Sequence, residues 1–148
     1  MSEILDKPEV ARIYIDARGP RFGAVITTTV LAIALVTMNE WVLLAQALVF
    51  AMGAIRGPQF TPYGLFFKKF VKPRLAKEAP TEDVRPPKFA QSVGFIFALV
   101  GLVGAFSGAD VVFTVAVGFA LGAAFLNAAF NYCLGCEMYL LGLRLTSK

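Results

Sequence analysis

Residues 110–139 read DVVFTVAVGFALGAAFLNAAFNYCLGCEMY, and the fold follows from how this stretch is interpreted. No charged residue falls between Val111 and Phe130. A helix of that length rises about 30 Å, the thickness of a bilayer's hydrocarbon core, so the stretch is a membrane span that runs into a polar, cysteine-bearing end. Three further apolar runs precede it. Residues 22–38 and 41–56 are separated by Asn39-Glu40, and residues 89–106 and 111–132 by Ser107-Gly108-Ala109-Asp110. One helix through both early runs would overshoot the bilayer and bury the Glu40 carboxylate in hydrocarbon, so a turn is expected at Asn39-Glu40, with Trp41 at the interface. The first two spans are short, which calls for a thinned bilayer or for ends buried against protein.

The expectation is an all-α membrane protein of one domain, residues 1–148, with four transmembrane helices arranged as two hairpins. Composition agrees: 57% of residues are hydrophobic, 16% are charged and the mean hydropathy is +0.68, against about 25% charged in soluble proteins. The chain has no histidine, which excludes imidazole metal sites and every catalytic group built on a histidine base. Its net charge of +4 does not point to nucleic acid, because the basic residues flank the apolar spans. All 14 lysines and arginines fall in segments that two hairpins place on one side, so both termini are expected in the cytoplasm. The first residues lack a signal-peptide core. The alternating residues 10–15 fit a strand or the start of an interfacial helix, broken by Gly19-Pro20.

The cytoplasmic loop, residues 57–88, is expected to carry an amphipathic interfacial helix. Tyr63, Phe66, Phe67, Phe70 and Val71 recur at helical spacing, with Lys68, Lys69 and Lys72 opposite, a pattern suited to the inner headgroup layer or to the cytoplasmic end of the bundle. Pro73, Pro80, Pro86 and Pro87 then predict an extended connector. Pro20-Arg21-Phe22-Gly23 enters the first hairpin much as Pro87-Lys88-Phe89-Ala90 enters the second, and an aromatic segment with a basic end follows each hairpin. This is the pattern of a parallel repeat, although similar residues at similar interfacial positions also arise independently.

Candidate chemistry is confined to the end of the fourth span, where the only two cysteines lie three positions apart. Cys133 and Cys136 can form a short-loop disulfide, share a metal, or pass sulfur or an electron pair, with Glu137 as proton acceptor and Tyr139 beside them. A reducing cytoplasm disfavours a permanent disulfide, and structural zinc takes four ligands, which here requires a dimer. The competing reading is two small apolar residues packed in a helix. If span four continues straight, Cys136 lies over Gly118, with Gly122 in the same close-packing stripe, while Asn127 and Asn131 fall on the other side, to hydrogen-bond a neighbouring span or a partner protein. If instead it stops near Tyr132 and a new helix begins around a loosened Gly135, the positive end of that helix favours a Cys133 thiolate. The sequence leaves both open.

Arg18-Gly19-Pro20-Arg21-Phe22, Pro62-Tyr63-Gly64, Pro86-Pro87-Lys88-Phe89-Ala90-Gln91 and, most specifically, Asn131-Tyr132-Cys133-Leu134-Gly135-Cys136-Glu137-Met138-Tyr139 resemble a bacterial membrane family catalogued as domain of unknown function 4395. The resemblance implies four helices in the bacterial cytoplasmic membrane, and a thioredoxin-like or rhodanese-like sulfurtransferase partner. The plan is also similar to membrane modules fused to rhodanese domains and, more distantly, to four-helix quinone-linked thiol oxidoreductases. From the latter this chain departs in having two cysteines, on the inner side, and no residue here supports a quinone or any other cofactor. The expected function is therefore a membrane component of a cytoplasm-facing thiol-redox or sulfur-transfer system. The alternative is a non-enzymatic scaffold or accessory subunit of a larger membrane complex, and transport of a small sulfur-containing anion is weaker, for want of a mid-membrane charge. Expected partners are membrane lipids and such proteins, or a second copy of the chain.

Overall fold

The computed structural model describes residues 14–16, 18–57, 60–74, 81–83, 85–130 and 132–146. In chain order these form strand β1 (Tyr14–Asp16), helices α1 (Arg18–Thr37) and α2 (Glu40–Arg56), a short helix α3 (Pro62–Phe66), strand β2 (Thr81–Asp83), and helices α4 (Arg85–Phe106), α5 (Asp110–Phe130) and α6 (Leu134–Thr146). Helix α3 runs on through a π-helical turn (Phe67–Val71) and a 3-10 turn (Lys72–Arg74).

Three helices, α1, α4 and α5, are long and apolar enough to cross a membrane. The expected count of four is corrected by α2, which at 17 residues is shorter than these. Two boundaries also move. Helices α1 and α4 take Pro20 and Pro86-Pro87 into their first turns rather than starting after them. Proline costs nothing there, because its missing N–H is one that the helix leaves unpaired in any case.

The four long helices pack in a square. Helix α1 neighbours α2 and α5, and α4 neighbours the same two. Leu31 and Ala34 of α1, Leu43, Ala47 and Phe50 of α2, Ala98 and Leu102 of α4, and Phe113, Val117 and Ala120 of α5 fill the centre. Glycines allow close approaches here: a Cβ on Gly94 would lie 2.7 Å from Phe50, one on Gly101 2.9 Å from Leu43, and one on Gly104 2.9 Å from the Phe113 backbone nitrogen. The expected seam at Gly118 and Gly122 is not formed among the described residues, since a Cβ on either would meet none of them within 4 Å. Outside the square, Val36, Leu48, Ile55, Ile96, Val103, Val111 and Phe119 are exposed. Apolar side chains exposed on all four long helices suit hydrocarbon.

The arrangement repeats itself. Adding 67 to the number of a residue in β1 or at the start of α1 gives its counterpart in β2 or α4. The antiparallel strand pair obeys the same relation: Tyr14 pairs with Asp83, Ile15 with Glu82 and Asp16 with Thr81, so the central pair is Ile15 with its own counterpart. That is the register of a two-fold axis through the ladder. Both hairpin turns also share one hydrogen-bond pattern. At the first, Asn39 N–H donates to Ala34 O (3.1 Å) and Met38 N–H to Leu35 O (3.3 Å); at the second, Ala109 N–H donates to Gly104 O (2.7 Å) and Gly108 N–H to Ala105 O (3.3 Å). These are Schellman turns, whose left-handed residue is Met38 (φ 50°) in one half and Gly108 (φ 83°) in the other. Asn39 then caps α2 by accepting from Trp41 N–H and Val42 N–H.

The left-handed conformation strains methionine and suits glycine. Met38→Gly is therefore expected to stabilise the protein by about 0.5–1 kcal/mol, and Gly108→Ala to destabilise it by at least as much. Thermal unfolding in one detergent tests both; a Met38→Gly variant less stable than wild type would contradict the shared turn.

Candidate functional site

Helix α5 does not run straight into the cysteines. It ends at Phe130, and α6 begins at Leu134. The Tyr132 N–H, which a continuing helix would aim at the Ala128 carbonyl, reaches back to the Leu126 carbonyl instead (3.1 Å). The Ala128 carbonyl accepts from Arg21 Nε of α1 at 3.1 Å. An arginine donor thus takes up one of the orphan carbonyls that any helix end exposes.

The chain restarts at Cys133, whose carbonyl accepts the Glu137 N–H at 3.0 Å and whose Sγ accepts the Cys136 N–H at 3.1 Å. Cys133 is in this way the N-cap of α6, with sulfur in the role that an oxygen usually fills. Its Sγ is also joined to that of Cys136 in a disulfide, S–S 2.10 Å, between Cα atoms 5.1 Å apart. The straight-helix alignment of Cys136 over Gly118 is thereby overturned, and the break precedes Gly135 rather than falling on it. Gly135 instead permits a close approach. A Cβ there would lie 2.6 Å from Ala90 Cβ and 2.7 Å from Ala90 Cα, so its bare backbone lets α6 lie against the start of α4. Tyr139 completes that contact with its ring 5.5 Å from Phe89. Glu137 is exposed in the first turn of α6, where a carboxylate complements the helix's positive end.

Gly118 and Gly122, with Phe119, Phe130 and Leu134, line an open apolar groove of about 450 Å³ beside the break. Asn127 is half-buried on α5, and Asn131 lies outside the described residues.

The interfacial segment divides its aromatic face. Phe67 is buried against α1 near Gly19 and Phe22, whereas Phe66 and Phe70 stay half exposed, and Lys68, Lys69 and Lys72 are exposed. The π turn, in which Lys72 N–H donates to Phe67 O, carries the chain past α1 out of simple α-helical phase. Tyr63 turns inward: its hydroxyl donates to Gln46 Oε1 at 2.7 Å, and Gln46 Nε2 donates to Thr27 Oγ1 at 3.4 Å. Sequence reasoning missed this chain of polar groups, although a lone glutamine within the apolar α2 was its signal. Burial pushes the Tyr63 hydroxyl above its ordinary 10.0, so its neutral form is the one that suits the fold.

The break at the end of α3's approach mirrors the cysteine site. Thr61 caps α3, its Oγ1 accepting the Gly64 N–H at 3.1 Å. Thr61 and Gly64 stand to the first hairpin as Cys133 and Cys136 stand to the second, and Phe22 meets Phe67 as Phe89 meets Tyr139.

These features define a helical protein with three helices able to span a membrane and a cysteine pair at the start of its last helix. The chain belongs to the family described as Domain of unknown function (DUF4395), whose model matches residues 15–144. No curated protein and no solved structure matches it.

Gly135→Ala should displace α6 and lower stability by about 1–3 kcal/mol, and Ala90→Gly in the same chain should restore little of the loss, because the Ala90 Cα would still lie 2.7 Å from the new Cβ. Thermal unfolding reads the loss; a Gly135→Ala variant as stable as wild type would refute the contact. Tyr63→Phe leaves the buried Gln46 oxygen without its donor and should cost about 1–3 kcal/mol at neutral pH. In wild type, stability is whole below pH 10 and is lost as pH rises through the raised Tyr63 value, a loss that the phenylalanine variant should lack.

Proposed function

We propose that this chain is a membrane component of a thiol-redox or sulfur-transfer system, with Cys133 and Cys136 as its exchanging pair on the cytoplasmic side of the bacterial membrane. The observation that carries the reading is the placement of both sulfurs at a helix N-terminus, immediately after a helix break. There the first-turn N–H groups favour negative charge on sulfur, which thiol–disulfide exchange requires. A pair packed in mid-helix would have no such donors.

In this reading α2 is a fourth span. It lies between α1 and α4 in the square and exposes Leu48, Met52 and Ile55 to the surroundings that α1 and α4 share. Its 17 residues rise about 25 Å, a modest mismatch with the hydrocarbon core. The exposed lysines of the interfacial segment lie at the same end as Arg21, Arg56, Lys88 and Arg144, which supports a cytoplasmic face there. Phe66 and Phe70 beside Lys68, Lys69 and Lys72 suit lipid headgroups. A thioredoxin-like or rhodanese-like protein is the partner that such a pair would serve.

A second reading, an accessory subunit of a larger membrane complex, is favoured by the open face at Gly118 and Gly122, which nothing among the described residues fills. The two readings part on one experiment. The protein in detergent is equilibrated with a graded series of reduced and oxidised dithiothreitol, then alkylated and weighed. The thiol reading expects reversible interconversion of a dithiol and an internal disulfide. Two thiols that stay reduced even under diamide would sink it.

A further inference from the structure

We infer that Cys133 is the attacking sulfur of the pair and Cys136 the resolving one, acting on a disulfide carried by a protein or peptide; this rests on the thiol-exchange reading. The two halves of the molecule can be compared directly. At the break before α3, Thr61 Oγ1 accepts the Gly64 N–H at 3.1 Å. At the equivalent break before α6, Cys133 Sγ accepts the Cys136 N–H at the same 3.1 Å. The first break has no sulfur and no cross-link, with glycine where Cys136 stands, yet the cap forms there. The S–S bond is therefore not what holds Cys133 Sγ against the helix: the backbone builds an acceptor position, and reduction leaves the Cys133 sulfur in it.

The cap position is asymmetric between the two sulfurs. Free N–H groups of a first turn point out of the helix end, toward Cys133 and away from Cys136, which lies a turn further in. Helix α6, at 13 residues, is long enough for its positive end to act on the capping atom. The Gly135 contact with Ala90 holds that end against α4, and the hydrogen bond from Arg21 to the Ala128 carbonyl holds the preceding end of α5. Ionisable side chains on the elements that meet here are Glu137, Tyr139 and Arg144 of α6, Tyr132 before it, Arg85 and Lys88 of α4, Arg18 and Arg21 of α1, and Asp110 at the far end of α5. Lysine and arginine outnumber aspartate and glutamate among them, a balance that also favours a thiolate.

In the exchange, the Cys133 thiolate attacks one sulfur of the substrate disulfide, forming a mixed disulfide and releasing the other substrate sulfur as a thiolate, which takes a proton from water. Cys136 then loses its proton and attacks Cys133 Sγ. The internal disulfide forms, the second substrate thiolate leaves and is protonated, and two electrons have passed from the cysteine pair to the substrate. In the opposite direction, a substrate thiolate attacks Cys133 Sγ of the oxidised pair and Cys136 leaves.

The test uses the full-length protein in detergent, with oxidised glutathione as the probe disulfide. In reduced wild type at neutral pH, mass-resolved iodoacetamide labelling should modify Cys133 at least about tenfold faster than Cys136. Cys136→Ser should accumulate a mixed disulfide with glutathione at Cys133, whereas Cys133→Ser should accumulate little. Cys133→Thr, which keeps a capping oxygen as Thr61 does, should retain the wild-type unfolding temperature while losing exchange, so that lost exchange is not mistaken for lost fold. Faster labelling of Cys136, or trapping through Cys136 in the Cys133→Ser variant, overturns the assignment but leaves the exchange reading standing. A wild-type protein that exchanges with neither probe nor oxidant overturns both.

Discussion

Backbone hydrogen bonding at the helix ends is the constraint on which the rest of this structure depends. A helix in apolar surroundings satisfies its own interior, but its last carbonyls and first N–H groups need partners, and lipid offers none. Each end that matters here has a specific answer. Schellman bonds close α1 and α4, Asn39 opens α2, Thr61 opens α3, Arg21 closes α5 from another helix, and Cys133 opens α6. Because every break is satisfied in this way, the chain can turn sharply four times within a small bundle, and the cysteine pair falls at one of those breaks.

The two-fold relation explains why a break exists at Cys133 at all. Its counterpart at Thr61 is a cap, with a residue type common at that position. In the second half the same backbone geometry holds sulfur, and the residue three positions on is a second cysteine rather than glycine. One architectural position therefore holds an oxygen cap in one half and a disulfide sulfur in the other. The halves differ in their outer contacts too. Phe67 is buried against α1, while Tyr139 at the corresponding place on α6 is only half-buried beside Phe89.

Much of this is legible in the residues. The helical class, the turns at Asn39-Glu40 and at Ser107–Asp110, and the likeness of Pro20-Arg21-Phe22-Gly23 to Pro87-Lys88-Phe89-Ala90 all follow from local composition, because apolar length, turn residues and proline act over a few positions. The roles of the glycines are less legible. Gly118 and Gly122 have the spacing of a packing seam yet face outward, whereas Gly135 has the character of a helix breaker and is a close-contact residue. Spacing shows which glycines share a face, and only the neighbouring helix decides whether that face is covered. The part played by Gln46 is hidden for the same reason, since its partners Thr27 and Tyr63 come from two other elements.

By itself, then, the sequence determined the apolar helices, their hairpin turns, the charge at one end and the two sulfurs three residues apart, because each depends on residues close together in the chain. Only the tertiary structure decided whether α5 ends before those sulfurs. Asn131-Tyr132-Cys133 is compatible with a helix that continues and with one that stops. What tips it is held by distant residues: Arg21, 107 positions away, on the Ala128 carbonyl, and Ala90 against Gly135. Contacts that distant in sequence leave no local pattern to read, and it is they that set Cys133 at the head of α6.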